Sequence, residues 1–145
     1  MTTNYETDVV AWSNEQSAFI RAGLIHQLDL AHIAEEIEDI GKGEQRELVS
    51  RIAVLFAHLL KWQHQPSRRS KSWQFTIATQ RKDVAYVLAE APSLRGKFDD
   101  AKWLEIVWAK AKTQTEAETG LDIDAFSEVC PWLVGDVLSE GWWPG

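Results

Sequence analysis

The chain has 145 residues, 45% of them hydrophobic and 26% charged, with a formal net charge of −7. Residues 1–145 are enough for one domain with a core of its own. A single cysteine, Cys130, excludes an internal disulfide framework and a multi-cysteine zinc site, and the acidic balance argues against coating of nucleic acid by the whole surface.

No basic-then-apolar leader opens the sequence, and its apolar runs are only a few residues long. Secretion and membrane contact are therefore not expected, and the cytoplasm is the expected location. Eight tryptophans are the compositional anomaly. Each buries a wide surface but needs a partner for its indole N–H, so several amphipathic contacts are expected.

Almost every segment carries helical period, with Gly and Pro between segments and no sustained strand-like alternation. The first predicted helix covers about Asp8 to Ala22, with Val9, Trp12, Gln16, Phe19 and Ile20 near one face and Gly23 as its C-terminal cap. The second covers about Asp29 to Ile40. Asp29 is its N-cap, Leu30, Ile33, Ala34, Ile37 and Ile40 form its stripe, and Gly41 stops it.

The third covers about Glu44 to His64. Leu48, Ile52, Leu55, Leu59 and Trp62 follow 3.6-residue spacing, and Arg51, His58 and Lys61 share the opposite edge. Pro66 ends it. The fourth covers about Arg68 to Glu90, with Trp73, Ile77, Val84, Val87 and Leu88 inward and Arg81 on the same stripe. Ala91-Pro92-Ser93 is the next break.

The fifth covers about Leu94 to Thr119 and is apolar on two sides, so it is either sandwiched or half-covered by a second subunit. Gly120 caps it. A short helix from Pro131 to Glu140 and Gly-Trp-Trp-Pro-Gly close the chain. The expected fold is an all-α helical bundle of five main helices plus a short C-terminal helix.

An ordered series of motifs runs through the chain. It comprises Ala34-Glu35-Glu36-Ile37-Glu38, His58-Leu59-Leu60-Lys61-Trp62, Gln65-Pro66, Arg69, Ser72-Trp73, Thr76-Ile77 and Gln80-Arg81. Pro92-Ser93-Leu94, Glu118-Thr119-Gly120-Leu121, Cys130-Pro131 and Trp143-Pro144-Gly145 follow. In this series the chain resembles the DUF29 family, a bacterial group of unknown function, from about Tyr5 to its end. The resemblance implies an all-helical fold and supplies no catalytic residues.

Charge is segregated. Leu48 to Lys82 holds seven Lys and Arg and no Asp or Glu, which leaves about −14 on the remainder. Lys61, Arg68, Arg69, Lys71 and Arg81 form a basic junction between the third and fourth helices. Cations at a helix N-terminus oppose its dipole, so an anion there would relieve them. The competing reading is internal pairing of Arg69 or Arg81 with Glu35, Glu36, Glu38 and Asp39.

Other chemistries are weaker. Trp62 and Trp73 among basic residues suggest nucleic acid, but both lie on core-facing stripes. His32 with Glu35 and Glu36 gives one His-x-x-Glu where di-iron bundles use paired Glu-x-x-His, so no metal or other cofactor is expected. Cys130 before Pro131 reads as a buried, inert thiol, and Trp142-Trp143 as a cover for a bundle end. The leading expectation is an interaction or regulatory protein with a basic edge for a small anion or acidic protein partner. It would also form a homo-oligomer through the two-sided fifth helix. The alternative is a metal-assisted hydrolase or nuclease-like enzyme using Glu35 or Glu36 with His58 or His64.

Overall fold

The computed structural model describes residues 3–145. Among them the fold is all-α, with no strand. The elements are α1 (Val9–Arg21), α2 (Leu30–His64), α3 (Lys71–Glu90), α4 (Ala101–Thr119) and α5 (Val134–Val137), joined by 3-10 turns. The chain divides into two compact units, the first ending at Gly43 and the second running Glu44–Gly145. Among the described residues no helix is long and apolar enough to cross a membrane.

The second and third expected helices are one helix, α2, of 35 residues. Gly41 and Gly43 do not stop it. Neither takes a positive φ, and a mid-helix glycine costs only about 1 kcal/mol relative to alanine. Good helix formers follow at Glu44, Gln45, Arg46 and Glu47. The 3-10 stretch Pro92–Asp99, eight residues long, stands where the fifth helix was expected to begin. Helix α4 starts only at Ala101, because the Asp100 carboxylate accepts the backbone N–H groups of Lys102 and Trp103 as an N-cap. With this eight-residue 3-10 helix counted, the described residues hold five helices of seven residues or more, the expected number but with different members.

In the first unit, Asp8 caps α1 by accepting from the Ala11 N–H at 2.9 Å. Gly23, at φ +73°, ends it in the left-handed conformation that glycine enters at least cost. Trp12 and Gln16 are buried, and both find a partner in Asp29, whose Oδ1 also accepts from the His32 N–H at 3.4 Å as the expected N-cap of α2. The Trp12 indole N–H donates to Asp29 Oδ2 at 3.0 Å, and the Asp29 N–H donates to Gln16 Oε1 at 2.8 Å.

In the second unit the C-terminal half of α2 packs with α3 and α4 around Leu48, Ile52, Phe56, Leu59, Ile77 and Trp108. Ala53, Ala57 and Ala111 are buried, and the Thr115 hydroxyl donates to the Ala111 carbonyl at 2.7 Å. The same hydroxyl lies 3.5 Å from the Ala57 carbonyl, where α2 and α4 meet. Trp103, Val107 and Trp108 of α4 are buried within the unit, while Ile106 is 52% exposed. The Trp108 indole N–H donates to the Ser127 carbonyl at 2.8 Å, and Trp132 meets the Trp108 ring edge-on at 5.2 Å. The chain's own C-terminal segment thus covers the Trp108 side of that helix.

Candidate functional site

The basic junction is built where α2 ends and α3 begins. Helix α3 starts at Lys71, later than expected, because the Ser70 hydroxyl accepts from the Trp73 N–H at 3.2 Å. That cap satisfies one of the amide donors an anion would otherwise take.

Arg69 Nε donates to the Trp62 carbonyl at 2.8 Å, and its guanidinium lies 4.8 Å from the centre of the Trp62 ring. Trp62 stacks on Trp143 at 4.2 Å. Beyond Trp143 lies Arg81, 5.7 Å from the ring centre. Arg81 Nε donates to the Val137 carbonyl at 2.9 Å and Nη2 to the Trp142 carbonyl at 2.5 Å. Burial pushes the Arg81 guanidinium below its ordinary pKa, with Glu140 partly opposing. Two arginines and two indoles thus latch the C-terminal segment onto α2 and α3. The Trp142-Trp143 pair folds back as expected, and the Trp62 faces are taken, so that indole offers no free platform for a base.

Lys61 was expected on the solvent edge of its helix. It is 8% exposed and pairs with Glu118 of α4. It lies one turn beyond Ala57, whose carbonyl is 3.5 Å from the Thr115 hydroxyl of α4. Burial raises the Glu118 carboxyl, but the Lys61 ammonium, by hydrogen bond and by charge, more than offsets this and holds it below its ordinary value. The counter-charge of Lys61 is therefore a carboxylate that sequence reasoning did not single out. The one available signal was Glu118 within the Glu-Thr-Gly-Leu motif.

His58 is half-buried, and its Nδ1 donates to the Val54 carbonyl at 3.0 Å. Burial lowers its pKa, with the Val54 hydrogen bond partly opposing. His64 is exposed and sits edge-on to Phe126 at 5.0 Å. Glu35 and Glu36 belong to the first unit, and His58 and His64 to the second. Neither unit holds both pairs, so the expected Glu–His catalytic set is not assembled within either. Glu36 instead accepts from the Tyr5 hydroxyl at 2.5 Å, and Glu35 is exposed.

His32 does not face Glu35 and Glu36 as a ligand set. Its Nδ1 donates to Asp29 Oδ2 at 2.7 Å, and its ring stacks on Tyr5 at 4.1 Å. Among the described residues no three His, Cys, Asp or Glu side chains converge in a way that could hold a metal ion. Cys130 is half-buried, and burial raises its thiol pKa while the Sγ–H points at the Trp132 carbonyl.

Within the second unit, Arg69 and Arg81 are held by backbone carbonyls and indole rings. Their hydrogen bonds go to carbonyls. Arg68, Lys71 and Lys82 are exposed. With Lys71 and Lys82, the outer stripe of α3 carries Phe75, 74% exposed, and Tyr86, 69% exposed. At 100° per residue these four side chains lie within about 60° of one another, with Ala78 and Ala85 along one edge of the stripe. A hollow of about 210 Å³ opens beside the stripe, lined by Ala78, Arg81, Lys82, Ala85, Leu138 and Glu140. No composition signal marked Phe75 and Tyr86, because both fall off the inward stripe that the helical period picks out.

No curated protein and no solved structure matches the chain. A family model, Domain of unknown function DUF29, matches residues 4–143, nearly the whole sequence, and the chain belongs to that family.

Proposed function

We propose that the chain is a protein-interaction module that docks an acidic, amphipathic partner on the outer stripe of α3. The observation that carries this reading is the exposure of Phe75 and Tyr86 in line with Lys71 and Lys82. Large aromatics flanked by cations are the residue types that anchor interfaces. Ala78 and Ala85 leave room for a partner backbone to approach.

Arg68 and Lys71 add positive field at the start of the stripe and draw the partner to the basic edge expected from the charge segregation. Arg69, Arg81 and Lys61 serve it indirectly, by holding the C-terminal segment and α4 against the same helices. The module is read as cytoplasmic, where a lone thiol such as Cys130 stays reduced.

The test is fluorescence anisotropy with a labelled synthetic helix bearing Leu on one face and Glu on the flanks. The expected result is binding that weakens with salt. A Phe75→Ser/Tyr86→Ser variant should lose at least about tenfold in affinity, or roughly 1.4 kcal/mol. Equal binding by variant and wild type would remove the α3 stripe as the docking surface.

A further inference from the structure

The first unit presents a surface of the opposite character. Leu30, Ile37 and Ile40 are 65%, 63% and 70% exposed. With half-buried Ile33 they fall at the a and d positions of a heptad, the seam that packs against another helix. The same unit carries eight Asp and Glu against two Lys and Arg, six of the seven net negative charges of the chain. Glu38 and Asp39 are exposed between Ile37 and Ile40.

Such a seam needs cover, and its charge restricts the choice. Pairing it with the same seam of a second copy would set −6 against −6, an arrangement that like-charge repulsion opposes. The favoured occupant is a helix face that is apolar and positive. The second unit supplies one in Lys71, Phe75, Lys82 and Tyr86. The lengths are compatible: Leu30 to Ile40 rises about 15 Å and Lys71 to Tyr86 about 22 Å.

We propose that the partner of the α3 stripe is the first unit of a second copy of this chain, in a head-to-tail contact. The inference rests on the proposed docking role of α3 and names its partner. The contact is heterologous, because the two surfaces differ. It therefore leaves one free surface of each kind at the ends of every oligomer and propagates until a ring closes. Assembly then depends on protein concentration and weakens with salt.

Sedimentation velocity on the full chain tests this, with one variant for each surface. Ile37→Ser/Ile40→Ser disables the seam and Phe75→Ser/Tyr86→Ser disables the stripe. Wild type is expected to grow beyond a dimer as concentration rises to about 100 µM. Each variant alone is expected to be monomeric. An equimolar mixture is expected to give a 1:1 dimer and nothing larger, since each partner contributes its one intact surface.

A stripe variant that still self-associates would show seam-on-seam pairing and overturn the proposal. A seam variant that still self-associates would show stripe-on-stripe pairing and overturn it equally. A monomeric wild type would also end it. If that monomer still binds the Leu/Glu helix through α3, the docking role survives and only the identity of the partner falls. If it binds nothing, both fall. Should a Ser variant lose helical circular dichroism, the pair Ile40→Lys and Lys82→Glu replaces it, with the same expectations for each alone and for the mixture.

Discussion

Lys61 on α2 and Glu118 on α4 form an ion pair at a helix crossing where the lysine is almost withdrawn from water and the glutamate is not. The asymmetry decides which partner matters more. Without Glu118 the protein holds a buried ammonium with no counter-charge. Without Lys61 the carboxylate can turn to solvent. Glu118→Gln is expected to cost about 1–2 kcal/mol, below the figure for a fully buried pair because Glu118 is well exposed. Lys61→Met is expected to be within about 1 kcal/mol of wild type. Urea unfolding of both variants checks the order, and the reverse order would show that the pair is not the dominant contact.

The same pair has a pH dependence. The Glu118 pKa is lowered on folding, so its contribution is present above the ordinary carboxylate value. It is lost as pH falls below about 4.3 and through the folded value. The stability difference between wild type and Glu118→Gln should shrink over that range, as read from urea midpoints at pH 6 and pH 3.

The hydrogen bond between His32 and Asp29 raises the histidine pKa and lowers that of the aspartate, in each case as the largest effect. The histidine contribution is full below about pH 6.5 and disappears as pH rises through the folded value above that. The aspartate contribution is full above about pH 3.9 and disappears on acidification. The pair is thus strongest between these limits. Proton NMR should place the His32 midpoint above about 6.5, and a midpoint at or below it would remove the Asp29 contact from the account.

Gly41 and Gly43 lie inside α2 with helical backbone and nothing within 4 Å of where a Cβ would be. Alanine at either position removes conformational freedom from the unfolded chain without a clash. Gly41→Ala and Gly43→Ala are each expected to stabilise the helix by about 0.5–1 kcal/mol. A lowered melting temperature in either variant would mean that the helix is broken there in solution.

The C-terminal latch should be sensitive at its arginine. Arg81→Met leaves the Val137 and Trp142 carbonyls without their donor and is expected to cost about 1–3 kcal/mol. Trp143→Ala, which removes the stack on Trp62, is expected to cost about 1–2 kcal/mol. Arg68→Met, on the exposed turn, should stay within about 0.5 kcal/mol. A loss in Arg68→Met equal to that in Arg81→Met would argue for a general charge effect instead of a latch.

Helical period and capping residues located the helices of this protein, because both are local. Asp8, Asp29 and Gly23 sit where their side-chain and backbone chemistry places them. The motif series also placed the chain in its family. Two local signals misled. Gly41 looked like a stop, yet a glycine without a following proline costs too little to end a helix flanked by good formers. Leu94 looked like a helix start, yet the Asp100 cap six residues later set the true one.

Partners were a different matter. Only the tertiary structure decided that Lys61 belongs to Glu118, that Arg69 and Arg81 hold carbonyls and indoles, and that Phe75 and Tyr86 are left in solvent. Spacing along the chain fixes which face of a helix a side chain occupies. Which of two apolar faces is covered, and by which distant segment, depends on long-range packing that no local pattern encodes.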